Sequence, residues 1–347
     1  MRAANWLGDA VMSLPALRAL REALPGARIT VVARPGLADL YARESAVDGV
    51  IPYPRPKGIG ERFSFARRLR AERFDCAVLF QNAFDAALLA WLARIPARIG
   101  YNRDARGWLL THAVPVPAAG EIPRHERFYY LELLRRGGFL DGLPRVDAIR
   151  LSGVEEAREA GLRRLEAMGI RGPAIGISPG AAYGNAKRWL PERFAEAGGQ
   201  AAAALRASVL IFGSAAERPL CEAVAAPLMA SGASARNLAG ETTLGEFLEL
   251  AAACRLFLTN DSGGMHVASA LAVPTIAVFG ATDEVATGPT GPRARVLREP
   301  VECAPCLLRE CPIDHRCMTR VTAARVADAA LQLFEESAPA WTHEPKS

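Results

Sequence analysis

Long apolar runs are missing from this 347-residue sequence. No window approaches the roughly 18 uncharged apolar residues that a membrane-spanning helix requires, and Asp9 and Arg18 interrupt the apolar stretch near the N-terminus. The sequence therefore predicts neither a membrane span nor a signal peptide, and we expect a cytoplasmic protein. A G-x-G-x-x-G motif after a strand is missing too, which disfavours a dinucleotide-dependent dehydrogenase.

Charge of one sign is not in large excess. Lys and Arg number 42 against 37 Asp and Glu, which gives a formal net charge of +5, and 50% of the residues are hydrophobic. This composition is typical of an ordinary globular protein rather than a disordered or fibrous one, and the length suggests two domains.

The positive charge is concentrated in one segment, residues 55–73. Its basic residues are Arg55, Lys57, Arg62, Arg67, Arg68, Arg70 and Arg73, against Glu61 and Glu72. Such a segment is often only a solvated helix face. It also has the charge to attract phosphate-bearing partners or an anionic membrane surface.

The seven cysteines fall into two groups. Cys76, Cys221 and Cys254 lie inside apolar segments, where cysteine behaves as a small hydrophobic residue. The other four form a C-x2-C-x4-C-x5-C segment with a histidine near its end: Cys303, Cys306, Cys311, Cys317 and His315. These ligand types suit zinc or an iron–sulfur cluster, but the spacing is not that of a common zinc finger. A structural metal, reduced structural cysteines and a redox pair all remain open.

Short apolar runs alternate with helical patterns along both halves of the chain, which predicts parallel sheets wrapped by helices. We expect an α/β protein with two doubly wound, Rossmann-like domains facing a central cleft, and ligands at the carboxyl ends of the strands. The predicted domains are residues 1–150 and 151–322. A last helix within residues 323–347 is expected to cross back to the first domain.

The N-terminal residues fit this scheme less simply. The pattern predicts a helix over residues 9–24 and a strand over residues 28–32. Only MRAANW stands where a strand normally precedes such a helix. Either the first strand is very short or the true start lies upstream.

Two polar clusters follow predicted strands in the second half, where an α/β domain binds its ligand. Lys187 lies in a glycine-containing loop before a helix that begins at Pro191, so its ammonium could meet a diphosphate. Glu217 follows another strand and could accept hydrogen bonds from ribose hydroxyls. Plainer interpretations exist, because a lone loop lysine is usually solvated and the helix dipole favours a glutamate in the first turn.

A third cluster is the turn from Asn260 to Gly264, between an apolar strand and a helix that starts near Met265. The unpaired N–H groups and the dipole at that helix start favour an anion such as phosphate, and two glycines permit close approach. Alternatively, Asp261 or Ser262 simply caps the helix. Because three such clusters share one half of the chain, a phosphate-containing ligand is the stronger interpretation.

Asp9 stands near the start of the first predicted helix, where capping is the ordinary role of an aspartate. If the two domains face each other, however, this carboxylate points toward the phosphate loops. It could then take a proton from an attacking hydroxyl.

Several motifs together resemble the bacterial ADP-heptose:lipopolysaccharide heptosyltransferases of glycosyltransferase family 9. They are Gly8-Asp9 followed by SLPAL at 13–17, KRWLP at 187–191 and TNDSGGMH at 259–266. The four-cysteine tail up to Met318 is similar to the heptosyltransferase II branch. The resemblance extends over nearly the whole chain with the motifs in the same order.

The resemblance implies a GT-B fold and an inverting transfer that needs no cofactor. Its donor would be ADP-heptose, and L-glycero-D-manno-heptose would pass to heptosyl-Kdo2-lipid A of the lipopolysaccharide inner core. It implies Asp9 as general base, Lys187 on the diphosphate and Glu217 on the ribose. The remaining donor contacts that it implies are Asp261 on the sugar, Ser262, and Gly263, Gly264 and His266 on the diphosphate.

The implied acceptor is a phosphorylated lipid A–Kdo–heptose, for which we expect contacts from Asn82, Arg103 and Arg106. We also expect the basic segment to touch the inner-membrane surface peripherally, and no nucleic acid partner. The alternatives are a heptosyltransferase I type enzyme with a different core acceptor, a GT-B-like sugar-nucleotide epimerase, and a non-catalytic nucleotide-sugar-binding protein.

Overall fold

Parallel strands flanked by helices build both halves of the chain in the computed structural model, which describes residues 1–337. The chain divides into one unit from Met1 to Val146 and a second that begins at Asp147. The predicted α/β class, with a parallel sheet in each half, is confirmed. Within the described residues, no helix combines the length and the apolar character needed to cross a bilayer.

The first unit contains two groups of parallel strands, β1 with β2 and β3 with β4 and β5. Their bounds are β1 (Thr30–Ala33), β2 (Gly49–Pro52), β3 (Cys76–Leu79), β4 (Ala97–Tyr101) and β5 (His112–Val114). The α-helices of this unit are α1 (Leu7–Met12), α2 (Leu14–Ala23), α3 (Ala38–Ala42), α4 (Ile59–Ala71), α5 (Phe84–Leu92) and α6 (Arg127–Arg136).

The N-terminal residues join these two groups of strands. Arg2 forms parallel bridges to Val32 of β1 and to Leu79 of β3. Its amide donates to the Val78 carbonyl at 2.8 Å, and its carbonyl accepts from the Phe80 amide at 3.0 Å. A very short extended segment thus occupies the place of the leading strand, as one of the two sequence interpretations proposed.

The single helix predicted over residues 9–24 is wrong, because α1 ends at Met12 and α2 begins at Leu14. Pro15 is the physical reason, since it has no N–H to donate and its ring collides with the preceding turn of a continuous helix. It is tolerated in the first turn of α2. At the break, the Ser13 hydroxyl donates to the Ala10 carbonyl at 2.8 Å.

The second unit holds one parallel sheet in the order β11-β10-β9-β6-β7-β8. Its strands are β6 (Ala174–Ser178), β7 (Ser208–Ile211), β8 (Ala235–Asn237), β9 (Leu256–Asn260), β10 (Thr275–Val278) and β11 (Ala294–Leu297). Its α-helices are α7 (Val154–Ala167), α8 (Pro191–Leu205), α9 (Arg218–Ala230), α10 (Leu244–Ala253), α11 (Gly263–Ala270), α12 (Glu284–Thr287), α13 (Arg316–Thr319) and α14 (Ala323–Ser337).

The order of strands reverses between β6 and β9, which are neighbours in the sheet with Ser178 opposite Thr259. The chain adds β7 and β8 on one side of β6, and β9, β10 and β11 on the other. The loops that follow β6 and β9 therefore lead in opposite directions from the carboxyl edge of the sheet. Doubly wound sheets bind their ligands at such a switch point.

Helix α14 packs against α8 and against strands β9 and β10 of the same unit. The sequence analysis expected this helix to cross back to the first domain, whereas the packing of residues 323–337 assigns them to the second unit. The remainder of that prediction, residues 338–347, lies outside the described residues.

Candidate active site

Lys187 and Asp261 form an ion pair between the loops that follow β6 and β9. The Lys187 Nζ lies 2.6 Å from Asp261 Oδ2, and the two side chains are only 14% and 4% exposed. The buried Thr282, which follows β10, donates its hydroxyl to the same carboxylate oxygen at 2.5 Å. Lys187 is therefore held in place, and the plain interpretation of a solvated loop lysine is wrong for it.

Asn260 links these two loops from the end of β9. Its amide Nδ2 donates to the Pro179 carbonyl at 2.7 Å, and its Oδ1 accepts from the Trp189 backbone amide at 2.8 Å. Trp189 itself is fully buried, and its indole donates to the Val321 carbonyl at 3.0 Å. The sequence analysis assigned no role to Asn260 or Thr282, although an asparagine at the end of a mostly apolar strand was a visible signal.

Helix α11 begins directly after Asp261. Ser262 occupies its N-cap position, but its hydroxyl lies 3.1 Å from the Thr259 hydroxyl and, within the described residues, makes no capping hydrogen bond. The Asp261 carboxylate turns instead to Lys187 and Thr282. The alternative interpretation, a simple cap by Ser262 or Asp261, therefore does not hold, which leaves the start of α11 suited to an anion.

The two glycines and His266 lie in the first turns of α11. Gly264 packs so closely on β6 that an added Cβ would lie 2.9 Å from the Ser178 hydroxyl. Gly263 is the first residue of the helix, and His266 is buried in it at 5% exposure. The structure thus places all three at one helix start, and their contact with a diphosphate stays a prediction.

Glu217 is engaged in a capping box. Its Oε2 accepts from the Ser214 amide at 2.9 Å and from the Ser214 hydroxyl at 2.8 Å. Its other oxygen lies against the loop after β6, since a Cβ added to Gly180 would stand 2.1 Å from Oε1. The carboxylate therefore has a structural role near the Lys187 loop, and its contact with a ribose remains a prediction.

Asp9 lies in the first turn of α1, where Trp6 and not Asp9 occupies the N-cap position. The carboxylate has a favourable place in the field of that short helix. Burial, and next the negative charge of Asp9, raise the pKa of Glu126 and that of Tyr130. The structure thus places Asp9 close to other acidic groups of the first unit and not at the N-cap position, and its role as a general base stays a prediction.

Asn82, Arg103 and Arg106 come together around Tyr129 of α6. The Asn82 amide donates to the Tyr129 hydroxyl at 3.0 Å, and Arg103 Nη1 lies 3.4 Å from the same oxygen. Arg103 remains accessible, with 47% of its side chain exposed. The residues predicted for the acceptor thus form one group, and Tyr129 is a member that the sequence analysis missed.

Arg106 occupies a different position from the one expected of a residue that contacts the acceptor. It is fully buried and donates to the carbonyls of Tyr101 and Gln81 and, at 3.0 Å, to Asn82 Oδ1. Burial lowers the pKa of its guanidinium to about 10. Because its N–H groups donate to acceptors within the protein, Arg106 orients Asn82 through a hydrogen bond and is not itself an exposed anion-binding group.

A family model described as glycosyltransferase family 9 (heptosyltransferase) matches residues 62–316. The chain belongs to glycosyltransferase family 9. It is 35% identical to lipopolysaccharide heptosyltransferase 2 of Salmonella typhimurium over 301 residues, which cover 85% of this chain and 86% of that protein. A relative named lipopolysaccharide heptosyltransferase 1, from Pseudomonas aeruginosa, is 29% identical over 338 residues, 88% of this chain and 84% of its own length.

The solved structure of E. coli ADP-heptose lps heptosyltransferase II is similar to this family 9 chain throughout. The TM-score is 0.82 at 31% sequence identity, and the alignment covers 97% of this chain and 98% of the other. The predicted GT-B type of α/β fold and the predicted family are therefore confirmed. As a member of this family, the protein is a glycosyltransferase.

The four-cysteine segment of this family 9 enzyme gives no support to a structural metal. Cys303 is exposed, Cys306 and Cys311 are partly exposed, and Cys317 is buried, all as free thiols. Burial, followed by the nearby thiols of the other three, raises the pKa of Cys317. Yet within residues 1–337 no three His, Cys, Asp or Glu side chains are placed to hold a metal ion.

The pairing of Lys187 with Asp261 predicts opposite effects of two substitutions on ADP binding. Asp261→Asn keeps the shape of the side chain but removes a negative charge next to the ammonium, so the affinity for ADP should rise roughly fivefold, or about 1 kcal/mol. Lys187→Ala should lower it. Isothermal titration calorimetry measures both; weaker ADP binding in Asp261→Asn would show that the carboxylate matters chiefly for orienting Lys187.

Proposed function

We propose that this enzyme transfers L-glycero-D-manno-heptose from ADP-heptose to heptosyl-Kdo2-lipid A with inversion at the anomeric carbon. The observation that carries this proposal is the Lys187–Asp261 pair beside the uncapped start of α11, at the switch point of the second sheet. The Salmonella typhimurium relative named heptosyltransferase 2 is 35% identical to this chain, against 29% for the relative named heptosyltransferase 1, which favours this acceptor over that of a type I enzyme.

The second unit supplies the donor contacts in this proposal. The Lys187 ammonium, the first amides of α11 and His266 bind the diphosphate. Glu217 accepts hydrogen bonds from the ribose, and Asp261 accepts hydrogen bonds from the heptose. Negative charge grows on the diphosphate as the glycosidic bond breaks. Donors fixed before the reaction stabilise that charge without having to reorganise, and this is often the largest contribution to catalysis.

Asp9 acts as the general base. In an inverting displacement the acceptor hydroxyl attacks the anomeric carbon from the side opposite the leaving ADP, and a carboxylate accepts its proton as the new bond forms. The new C–O bond replaces the bond to ADP, which leaves with the electron pair. The reaction as proposed assigns charge stabilisation to Lys187 and to backbone amides and uses no cofactor.

The assignment of Asp9 predicts a separation of binding from turnover. ADP release from ADP-heptose should require heptosyl-Kdo2-lipid A, and Asp9→Asn should reduce it by about two to four powers of ten, the usual contribution of a general base. Calorimetry should show unchanged ADP affinity in the variant. ADP release without the acceptor would instead indicate an epimerase or a hydrolase. The absence of any ADP release would indicate a non-catalytic binding protein. Near-normal turnover of Asp9→Asn would refute the role of Asp9 as general base.

The group around Tyr129 binds the phosphorylated acceptor in this proposal. Arg103 offers an exposed guanidinium, and Asn82 is held in a fixed orientation between Arg106 and Tyr129. An arginine can bind a phosphate through two parallel hydrogen bonds. Arg103 therefore contacts the acceptor directly, whereas Arg106 acts through Asn82.

Arg103→Ala should raise the acceptor KM about tenfold while the donor KM stays within twofold, because one charged hydrogen-bonded contact of about 1.5 kcal/mol is lost. Steady-state kinetics with each substrate varied in turn provide the measurement. Arg28→Ala is a matched control, since Arg28 is exposed before β1, at the amino edge of its strand. Equal changes in both KM values would count against an acceptor role for Arg103.

A peripheral contact with the membrane completes the proposal. Exposed aromatic rings of Phe84, Trp91 and Trp108 cluster on and beside α5, with ring centroids 6.2 and 6.3 Å apart. Helix α5 packs against α4, which carries much of the basic segment, and Arg62 and Asp85 join the two helices at 2.7 Å. Aromatic rings prefer the headgroup region of a bilayer, and basic side chains are attracted to anionic lipids.

This surface predicts binding to anionic vesicles. The protein should sediment with phosphatidylethanolamine vesicles that contain phosphatidylglycerol, and a Trp91→Ser, Trp108→Ser double variant should lose most of that binding. Leu162→Ser, which removes an exposed apolar side chain from α7, should leave vesicle binding unchanged. Vesicle binding unchanged in the double variant, or a change in oligomeric state instead, would show that the aromatic cluster serves another contact.

A further inference from the structure

The four-cysteine segment contacts the loop that carries Lys187. The Ala186 amide donates to the Arg309 carbonyl at 3.0 Å, and the His315 ring nitrogen Nε2 lies 3.0 Å from the Ala186 carbonyl. The Tyr183 hydroxyl donates to the Leu307 carbonyl at 2.8 Å. Residues on both sides of Arg309 are thus bonded to the residues just before Lys187.

The approach of the two segments is close enough to require a glycine. A Cβ added to Gly184 would lie 2.2 Å from the Arg309 carbonyl oxygen, a distance that real side chains do not tolerate. The backbone of Arg309 is therefore fixed relative to the Lys187 loop.

The side chain of Arg309 is directed to the same place. Its guanidinium carbon lies 5.2 Å from the centre of the Tyr183 ring, and the Lys187 Nζ lies 5.0 Å from the centre of that ring. Cation–π contacts of this kind hold a charge near an aromatic ring. Both positive charges therefore contact the ring of the same tyrosine.

The two charges differ in their partners. The Lys187 ammonium is paired with the buried Asp261 carboxylate. Arg309, in contrast, has no carboxylate within ion-pair distance among the residues that the structure describes. Its charge is available to an external anion, and an anion that binds beside the Tyr183 ring is attracted by both cations.

We propose that Arg309 is a second cation of the donor site, held by Tyr183 and by the backbone of the Lys187 loop so that it binds the diphosphate together with Lys187. This inference rests on the proposed function, because it takes the anion to be the diphosphate of the nucleotide sugar. It also gives the cysteine-rich segment a role that needs no metal: the segment delivers Arg309 to the site.

Binding of ADP and of AMP to Arg309→Gln, Arg309→Lys and Lys187→Ala, measured by calorimetry at low and at physiological salt, tests the proposal. Arg309→Gln should weaken ADP binding roughly tenfold and AMP binding much less, because AMP lacks the second phosphate. Arg309→Lys should recover most of the loss, and the effect should shrink at higher salt because Arg309 is exposed.

Arg171→Gln is the matched control. It removes the same charge from an exposed residue that lies before β6, at the edge of the sheet opposite the Lys187 loop, and ADP binding should not change. If Arg309→Gln behaves like Arg171→Gln while Lys187→Ala loses ADP, the role of Arg309 is refuted and the proposed function stands. If the unaltered enzyme does not bind ADP, the proposed function fails as well.

Discussion

The hydrogen bonds of one buried side chain, Asn260, link the two loops that carry the candidate active site of the second unit. The amide group reaches from the end of β9 to the carbonyl of Pro179 after β6 and to the backbone of Trp189. Since β6 and β9 are neighbours at the switch point, this link fixes the two loops on which Lys187 and Asp261 stand. Buried amide groups that lose their partners cost about 1–3 kcal/mol each, so the arrangement is strongly determined.

The charge arrangement follows from burial. A nearly buried ammonium is costly unless an opposite charge stands next to it, and Asp261 supplies that charge at 2.6 Å. Because Thr282 donates to the same oxygen, the carboxylate keeps one orientation and so does the lysine. The start of α11 and Lys187 thereby present positive potential at a fixed point, which suits the growing charge of a departing diphosphate.

The spacing of apolar residues and the positions of glycine and proline predicted the α/β class, the two parallel sheets and the loops at the strand ends. Apolar runs and helix patterns are local features of sequence, which is why they could be recognised. The break at Ser13 was readable from Pro15 and was missed. The burial of Arg106 and the contacts of Asn260 were not readable, since they depend on partners far away in the chain. The Asp261 carboxylate turns to Lys187, 74 residues away, and not to the helix start, so the capping role that the sequence left open as an alternative does not hold.

A crystal structure with ADP bound tests the central claim most directly. We predict that the diphosphate lies within about 3 Å of the Lys187 ammonium and of the first amides of α11, the ordinary range of charged hydrogen bonds. A diphosphate bound away from both groups, with the Lys187–Asp261 pair untouched, would contradict the account of this site as the donor-binding centre.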